Sequence, residues 1–229
     1  MKFIIVTIIV LSQSLIFAQC LNTYSSDGGI NLPDGSIYHG KVENNLFNDT
    51  AGFLNWTNGT AYVGGFKDGL MNGIGKIKFA NGIKYKGQFK SGLVHGYGIM
   101  NFTNGDKYEG YFKNDLFDGP GKLKYNNSDF YHGEFKQDNF HGNGFLSFSS
   151  GDIVTFGGIF FEGKAQNGTL TFVNGDVYKG EVNNELYPHG KGEYIFKDKE
   201  KKSQKGIFKY GKFNEDNNNH IENKGISVN

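Results

Sequence analysis

Three sets of side chains in this chain recur at a fixed spacing and could do chemistry. His95, Asp118 and His141 stand 23 residues apart, and Asn72 and His189 fall at the same place in their own segments. Imidazole and carboxylate are metal-ligand types, so this column invites a metal site. Lys67, Lys90, Lys113 and Lys136 form a second column at the same step, a cationic stripe that could meet an anionic lipid surface. Asp106, Asp152 and Asp176 follow the expected turns as a third set and read as solvent-facing. A hydrolytic nucleophile has no candidate, since Gly-x-Ser-x-Gly does not occur. Gly-x-Gly recurs without a helix pattern after it, which fails the context of a nucleotide loop.

What positions these residues is a repeat of about 23 residues. Its leading aromatic falls at Tyr38, Tyr62, Tyr85, Tyr108, Tyr131, Phe156 and Tyr178. Two residues on come Gly64, Gly87, Gly110, Gly133, Gly158 and Gly180. A fixed period in this range is the mark of a repeat array, in which one unit cannot bury its apolar face without its neighbours. The stretch Tyr85-Lys86-Gly87-Gln88-Phe89-Lys90 alternates with period two, the pattern of a strand covered on one face. Gly98 to Phe102 predicts a second strand, Ser91 to Tyr97 a loop between the two, and Asn104-Gly105 a hairpin turn into the next unit. Further columns run through Phe66, Phe89, Phe112, Phe135 and Phe160, and through Ile77, Met100, Leu123, Leu146 and Leu170. A glycine inside a strand signals close approach, and the expectation is that each leading aromatic lies over the glycine of the next rung.

The metal reading weakens on this geometry. Equivalent positions on adjacent hairpins would be about 10 Å apart, whereas ligands share one ion at roughly 2 Å. No catalytic, cofactor or metal site is therefore assigned. The lysine column has two readings, a solvated and partly paired face or an interaction surface.

The run Tyr-Lys-Gly-Gln-Phe-Lys, then His95-Gly96-Tyr97-Gly98, then Asn104-Gly105-Asp106-Lys107-Tyr108-Glu109-Gly110, resembles the MORN repeat. The resemblance covers residues 34–196 and implies an all-β fold: an elongated, single-layer antiparallel sheet of about seven successive β-hairpins. It also implies a scaffold, dimerisation module or membrane-proximal adaptor, with no activity to transfer because no catalytic domain is attached. The sixth unit departs from the pattern at Gln166-Asn167-Gly168, which predicts a bulge or bend near residues 150–166.

The flanks differ in character. Residues 1–18, with Lys2 before an apolar run ending at Ala18, read as a secretory signal peptide that is cleaved, retained as an anchor, or followed by lipidation at Cys20. That places the protein on the secretory route, extracellular, periplasmic or envelope-associated. Residues 19–33 read as a linker or N-terminal cap, 197–213 as a charged loop and terminal strand, and 214–229 as a disordered polar tail. Cys20 is the only cysteine, so stability must come from packing rather than disulfides.

Charge excludes one class of partner. The net charge is +1, and loss of Lys2 with residues 1–18 would leave none. All 24 basic residues are lysine, so no guanidinium fork is available for phosphate. No nucleic-acid role follows. The expectation is a non-enzymatic scaffold that binds a protein partner or itself, with an anionic membrane surface or a carbohydrate as alternative ligands.

Overall fold

The computed structural model describes residues 28–214, which contain strands and turns and no helix. The first eleven strands are β1 (Ile30–Asn31), β2 (Ile37–His39), β3 (Val42–Glu43), β4 (Leu46–Phe47), β5 (Asp49–Asn55), β6 (Ala61–Lys67), β7 (Leu70–Lys78), β8 (Lys84–Lys90), β9 (Leu93–Asn101), β10 (Lys107–Lys113) and β11 (Leu116–Lys124). The remaining eight are β12 (Phe130–Lys136), β13 (Asn139–Ser147), β14 (Ile153–Phe161), β15 (Lys164–Phe172), β16 (Val177–Val182), β17 (Pro188–Ile195), β18 (Gln204–Lys209) and β19 (Lys212–Phe213). They fall into two compact units that divide between residues 126 and 127. The signal-peptide reading of 1–18, Cys20 and nearly all of the predicted tail lie outside the described residues.

Each unit is an antiparallel meander, the topology that tight hairpins dictate. In the first unit β1 pairs with β2, β2 with β5, and each strand from β5 to β10 with its successor. The short β3–β4 hairpin pairs only with itself. In the second unit every strand from β12 to β18 pairs with the next. Strand β1 thus caps the start of the meander, inside the segment read as linker or cap. The β18–β19 hairpin closes it with Phe208 buried.

Two kinds of turn alternate. Between repeats, Phe102 accepts from the Gly105 N–H at 3.1 Å and donates to the Asp106 carbonyl at 2.9 Å, with Gly105 at φ 93°. This is the three-residue loop that ends on a left-handed glycine. Within a repeat, Asp68-Gly69, Ser91-Gly92 and Asn114-Asp115 each carry positive φ at both positions. That is the two-residue mirror turn whose twist matches the strands.

The second turn type corrects the reading of Ser91 to Tyr97 as a loop. The chain turns at Ser91-Gly92, and Leu93 to Tyr97 already belongs to β9. Gly87 pairs with Gly98 and Phe89 with Val94, so one residue, Gln88, spans three on the other strand. The surplus is a bulge at His95-Gly96, and Gly96 takes φ 62° to make it. In the sixth repeat the register shifts fall at Ile153/Thr155 and Ile159/Phe160, within the segment expected to be irregular.

Because 91–97 is strand, it adds a core column that the loop reading hid. Phe47, Val94, Phe117, Phe140 and Ala165 are all buried at equivalent places. Where that residue is Phe, it stacks flat on the leading tyrosine. Ring centroids are 3.8 Å apart for Tyr38–Phe47, 3.6 Å for Tyr108–Phe117 and 3.8 Å for Tyr131–Phe140.

Candidate interaction surface

The sheet's two faces are built by the same period-two alternation but do different things. On the inner face the leading aromatics are shut from solvent, with Tyr38, Tyr62, Tyr108, Tyr131, Phe156 and Tyr178 fully buried and Tyr85 nearly so. They meet the phenylalanine column edge-on. Tyr62 touches Phe66 and Phe89, and Tyr85 touches Phe89 and Phe112, at 5.0 to 5.2 Å between centroids. This zigzag of T-shaped contacts is the favoured aromatic geometry.

The glycines explain how the rings fit. A Cβ on Gly87 would lie 2.6 Å from both the Gly98 Cα and the Tyr85 Cζ. A Cβ on Gly98 would meet the same ring at 2.6 Å. The tyrosine therefore covers the glycine pair of its own hairpin. This corrects the expectation that it lies over the next rung, because the residue two places on is registered opposite the second strand of the same repeat. Gly64, Gly110, Gly133, Gly158 and Gly180 repeat this crowding against the opposing strand's glycine. Each hydroxyl then donates to the carbonyl three residues on: Tyr62 to Gly65, Tyr85 to Gln88 and Tyr108 to Tyr111, all at 2.9 Å. Phe156 has no hydroxyl to donate.

Burial pushes the Tyr178 phenol up to about 12. Burial raises Tyr38, Tyr62, Tyr85 and Tyr131 as well. The unfolded phenol ionises near pH ~10. Above that pH the unfolded chain binds fewer protons than the folded one, so stability falls as pH rises. Thermal unfolding should keep its midpoint up to about pH 10 and then lose it steeply. Exposed tyrosines such as Tyr97 and Tyr111 should ionise first, and the remaining phenolate absorbance should appear together with loss of β-sheet circular dichroism. Gradual titration of all 13 tyrosines with the sheet intact would contradict the buried ladder.

The histidine column sits at the bulges. His95 and His189 each bury Nδ1 without a hydrogen-bond partner. His141 packs 5.7 Å from the Phe161 ring and His189 5.3 Å from Tyr210. Among the described residues no three metal-type side chains converge. The predicted lysine column stands at strand ends, with Lys67, Lys90, Lys113 and Lys136 exposed where β6, β8, β10 and β12 enter their two-residue turns.

The turn carboxylates also need correction. Asp152 is exposed, but Asp176 is buried and Asp106 is half-buried. Asp106 accepts the Asn126 N–H at 2.9 Å, and Asp176 accepts the Lys197 N–H at 2.9 Å. Each carboxylate thus ties its turn to the turn about one repeat later. The Lys197 N–H, with the Asn174 and Tyr194 side chains, holds the Asp176 carboxyl below the usual carboxylate range despite burial.

The outer face carries exposed aromatic side chains. Tyr97 on β9 and Tyr111 on β10 are directly opposed, 44% and 48% exposed, with ring centroids 5.5 Å apart. The Tyr97 N–H donates to Gln88 Oε1 at 3.1 Å and its hydroxyl to Glu109 Oε1 at 2.9 Å. In the second unit, Phe145 and Ile159 are likewise exposed on the outward side of β13 and β14. Nothing in the repeat period singled these residues out. The parity of each strand would have done so, once 93–97 is recognised as strand.

Known proteins match in two ways. The MORN repeat profile matches residues 62–84, 85–107, 108–130, 131–153 and 187–201. Outside those matches the β14–β15 hairpin keeps the same glycine pairing, Gly158 with Gly168, and Gly52 pairs with Gly64 of the following repeat. No curated protein matches the chain. One similar solved structure is the TCP domain of Drosophila melanogaster SAS-4 in complex with a proline-rich motif of Ana2. It has 13% identity and a TM-score of 0.34, over 68% of this chain and 79% of that one. Another is the TCP10 domain of Danio rerio CPAP in complex with a STIL peptide, at 14% identity and a TM-score of 0.39 over 74% of each chain.

Proposed function

This chain carries consecutive MORN repeats, and on that premise we propose that it is a non-catalytic scaffold on the secretory route that binds a protein partner, or a second copy of itself, through its outward sheet face. The observation that carries this reading is the Tyr97–Tyr111 pair. Two tyrosines are exposed side by side, yet one is held by hydrogen bonds to Gln88 and Glu109. Aromatic anchors that are already ordered lose little entropy on binding and are the usual centres of interfaces. The inner face has no comparable role, because its aromatics are consumed by packing.

The test compares the wild-type chain with Tyr97→Ser/Tyr111→Ser. Sedimentation velocity reads self-association, and quantitative binding to proteins co-purified from the source organism reads a partner. The expected result is a saturable protein complex that weakens at least ~10-fold in the double variant, with an unchanged melting temperature. Absence of any saturable protein complex, with flotation on anionic vesicles at physiological salt or competition by free oligosaccharide, would replace this reading with one of the two alternatives.

A further inference from the structure

Two cross-strand rows on the outward face of the first unit concentrate lysine side chains. One cross-strand row runs Val63, Lys76, Lys86, Ile99, Glu109, Lys122. The next runs Ala61, Lys78, Lys84, Asn101, Lys107, Lys124. Lys76 therefore stands directly opposite Lys86, and Lys78 directly opposite Lys84. Directly opposed like charges destabilise a sheet. Among the described residues, neither pair makes an ion pair with a carboxylate. The one acid in these rows, Glu109, is engaged by Lys107 at 3.0 Å and by the Tyr97 hydroxyl. In a chain of net charge +1, these two rows thus set seven lysines against one carboxylate. The corresponding row of the second unit is mixed: His132, Phe145, Gly157, Thr169, Lys179, Glu193, Lys205.

We propose that these lysine rows dock an acidic segment of the protein partner, an extended run rich in Asp and Glu, a step that rests on the scaffold reading above. Charge complementarity selects the sign, and spacing selects the chemistry. In an extended peptide, side chains on one face recur every ~7 Å, the same spacing that separates Lys84 from Lys86 along β8. Carboxylates on alternate residues would then fall between opposed lysines and remove their mutual repulsion. Lysine is a point-charge donor, and with no arginine in the chain the surface has no fork for phosphate. Tyr97 and Tyr111 adjoin the rows on β9 and β10 and extend the same surface.

The experiment titrates the full chain into a labelled poly-Glu peptide, with a poly-Gln peptide, polyphosphate and phosphatidylserine vesicles in parallel arms, across a salt series. The variant is Lys76→Gln/Lys78→Gln/Lys84→Gln/Lys86→Gln. A charge control, Lys67→Gln/Lys90→Gln/Lys113→Gln, alters the turn-edge column instead. Poly-Glu should bind with an affinity that falls with salt, and poly-Gln should not. The quadruple variant should lose about 10-fold or more in affinity and melt no lower than wild type, since it removes repulsion, while the control keeps most of the binding. Equal poly-Glu binding by wild type and quadruple variant would overturn the proposal. So would binding of polyphosphate or vesicles without poly-Glu. A natural partner that depends on Tyr97 and Tyr111 but not on the four lysines would overturn this inference and leave the scaffold reading standing.

Discussion

Replacing Tyr85 with alanine should cost about 3–5 kcal/mol of stability, the range for truncating a large buried aromatic. The ring is 1% exposed and fills the space between Phe89, Phe112 and the Gly87–Gly98 pair. Nothing adjacent can collapse into the gap, because the glycines beneath have no side chains and the backbone is held by paired strands. The hydroxyl is a minor part of the total. Tyr85→Phe loses one hydrogen bond to the Gln88 carbonyl and should cost about 1 kcal/mol. The chain already contains that substitution in its own sixth repeat, at Phe156, which stays fully buried and meets Phe160 edge-on at 5.4 Å. Equilibrium denaturation of the three proteins reads both numbers. A loss for Tyr85→Ala below that of Tyr85→Phe would show that the ring is not the keystone of its repeat.

Gly87→Ala should cost about 3 kcal/mol by overpacking. The added methyl meets the Gly98 Cα at 2.6 Å, and a backbone atom of a paired strand cannot step aside as a flexible side chain can. It also meets the Tyr85 ring, so the two sites are coupled. Tyr85→Ala/Gly87→Ala should therefore be less destabilised than the two single losses together, by at least ~1 kcal/mol. Gly157→Ala is the control. Its methyl would find only Phe145, at an ordinary 3.5 Å, and its φ lies outside the left-handed region, so its cost should stay within about 0.5 kcal/mol. Equal effects at Gly87 and Gly157 would mean that the repeat glycine marks flexibility rather than close approach.

The column of Tyr85 and its equivalents was legible because a 23-residue period leaves few ways to bury like residues except by stacking them. The turn at Ser91-Gly92 was not. Serine in the left-handed region is uncommon, and the hairpin signal at this place is carried by Asp68-Gly69 in an earlier repeat. Missing that turn hid Val94 and its equivalents in the core, and hid Tyr97 on the outer face. Asp176 was misread for a related reason. A carboxylate after a turn faces water in an isolated hairpin, and only the next turn, bringing the Lys197 N–H, buries it.

The sequence by itself determined the all-β class, the repeat and the identity of the inward columns, because period and alternation are properties of one strand. The tertiary structure alone decided which lysines oppose one another, which glycines share a ring, and where the bulge at His95-Gly96 falls. Those depend on register between strands, and register is set jointly by turn length and by what the partner strand offers for burial. The candidate surface belongs to this second group: Lys76 and Lys86 are ten residues apart in the chain, and become neighbours only when β7 and β8 pair.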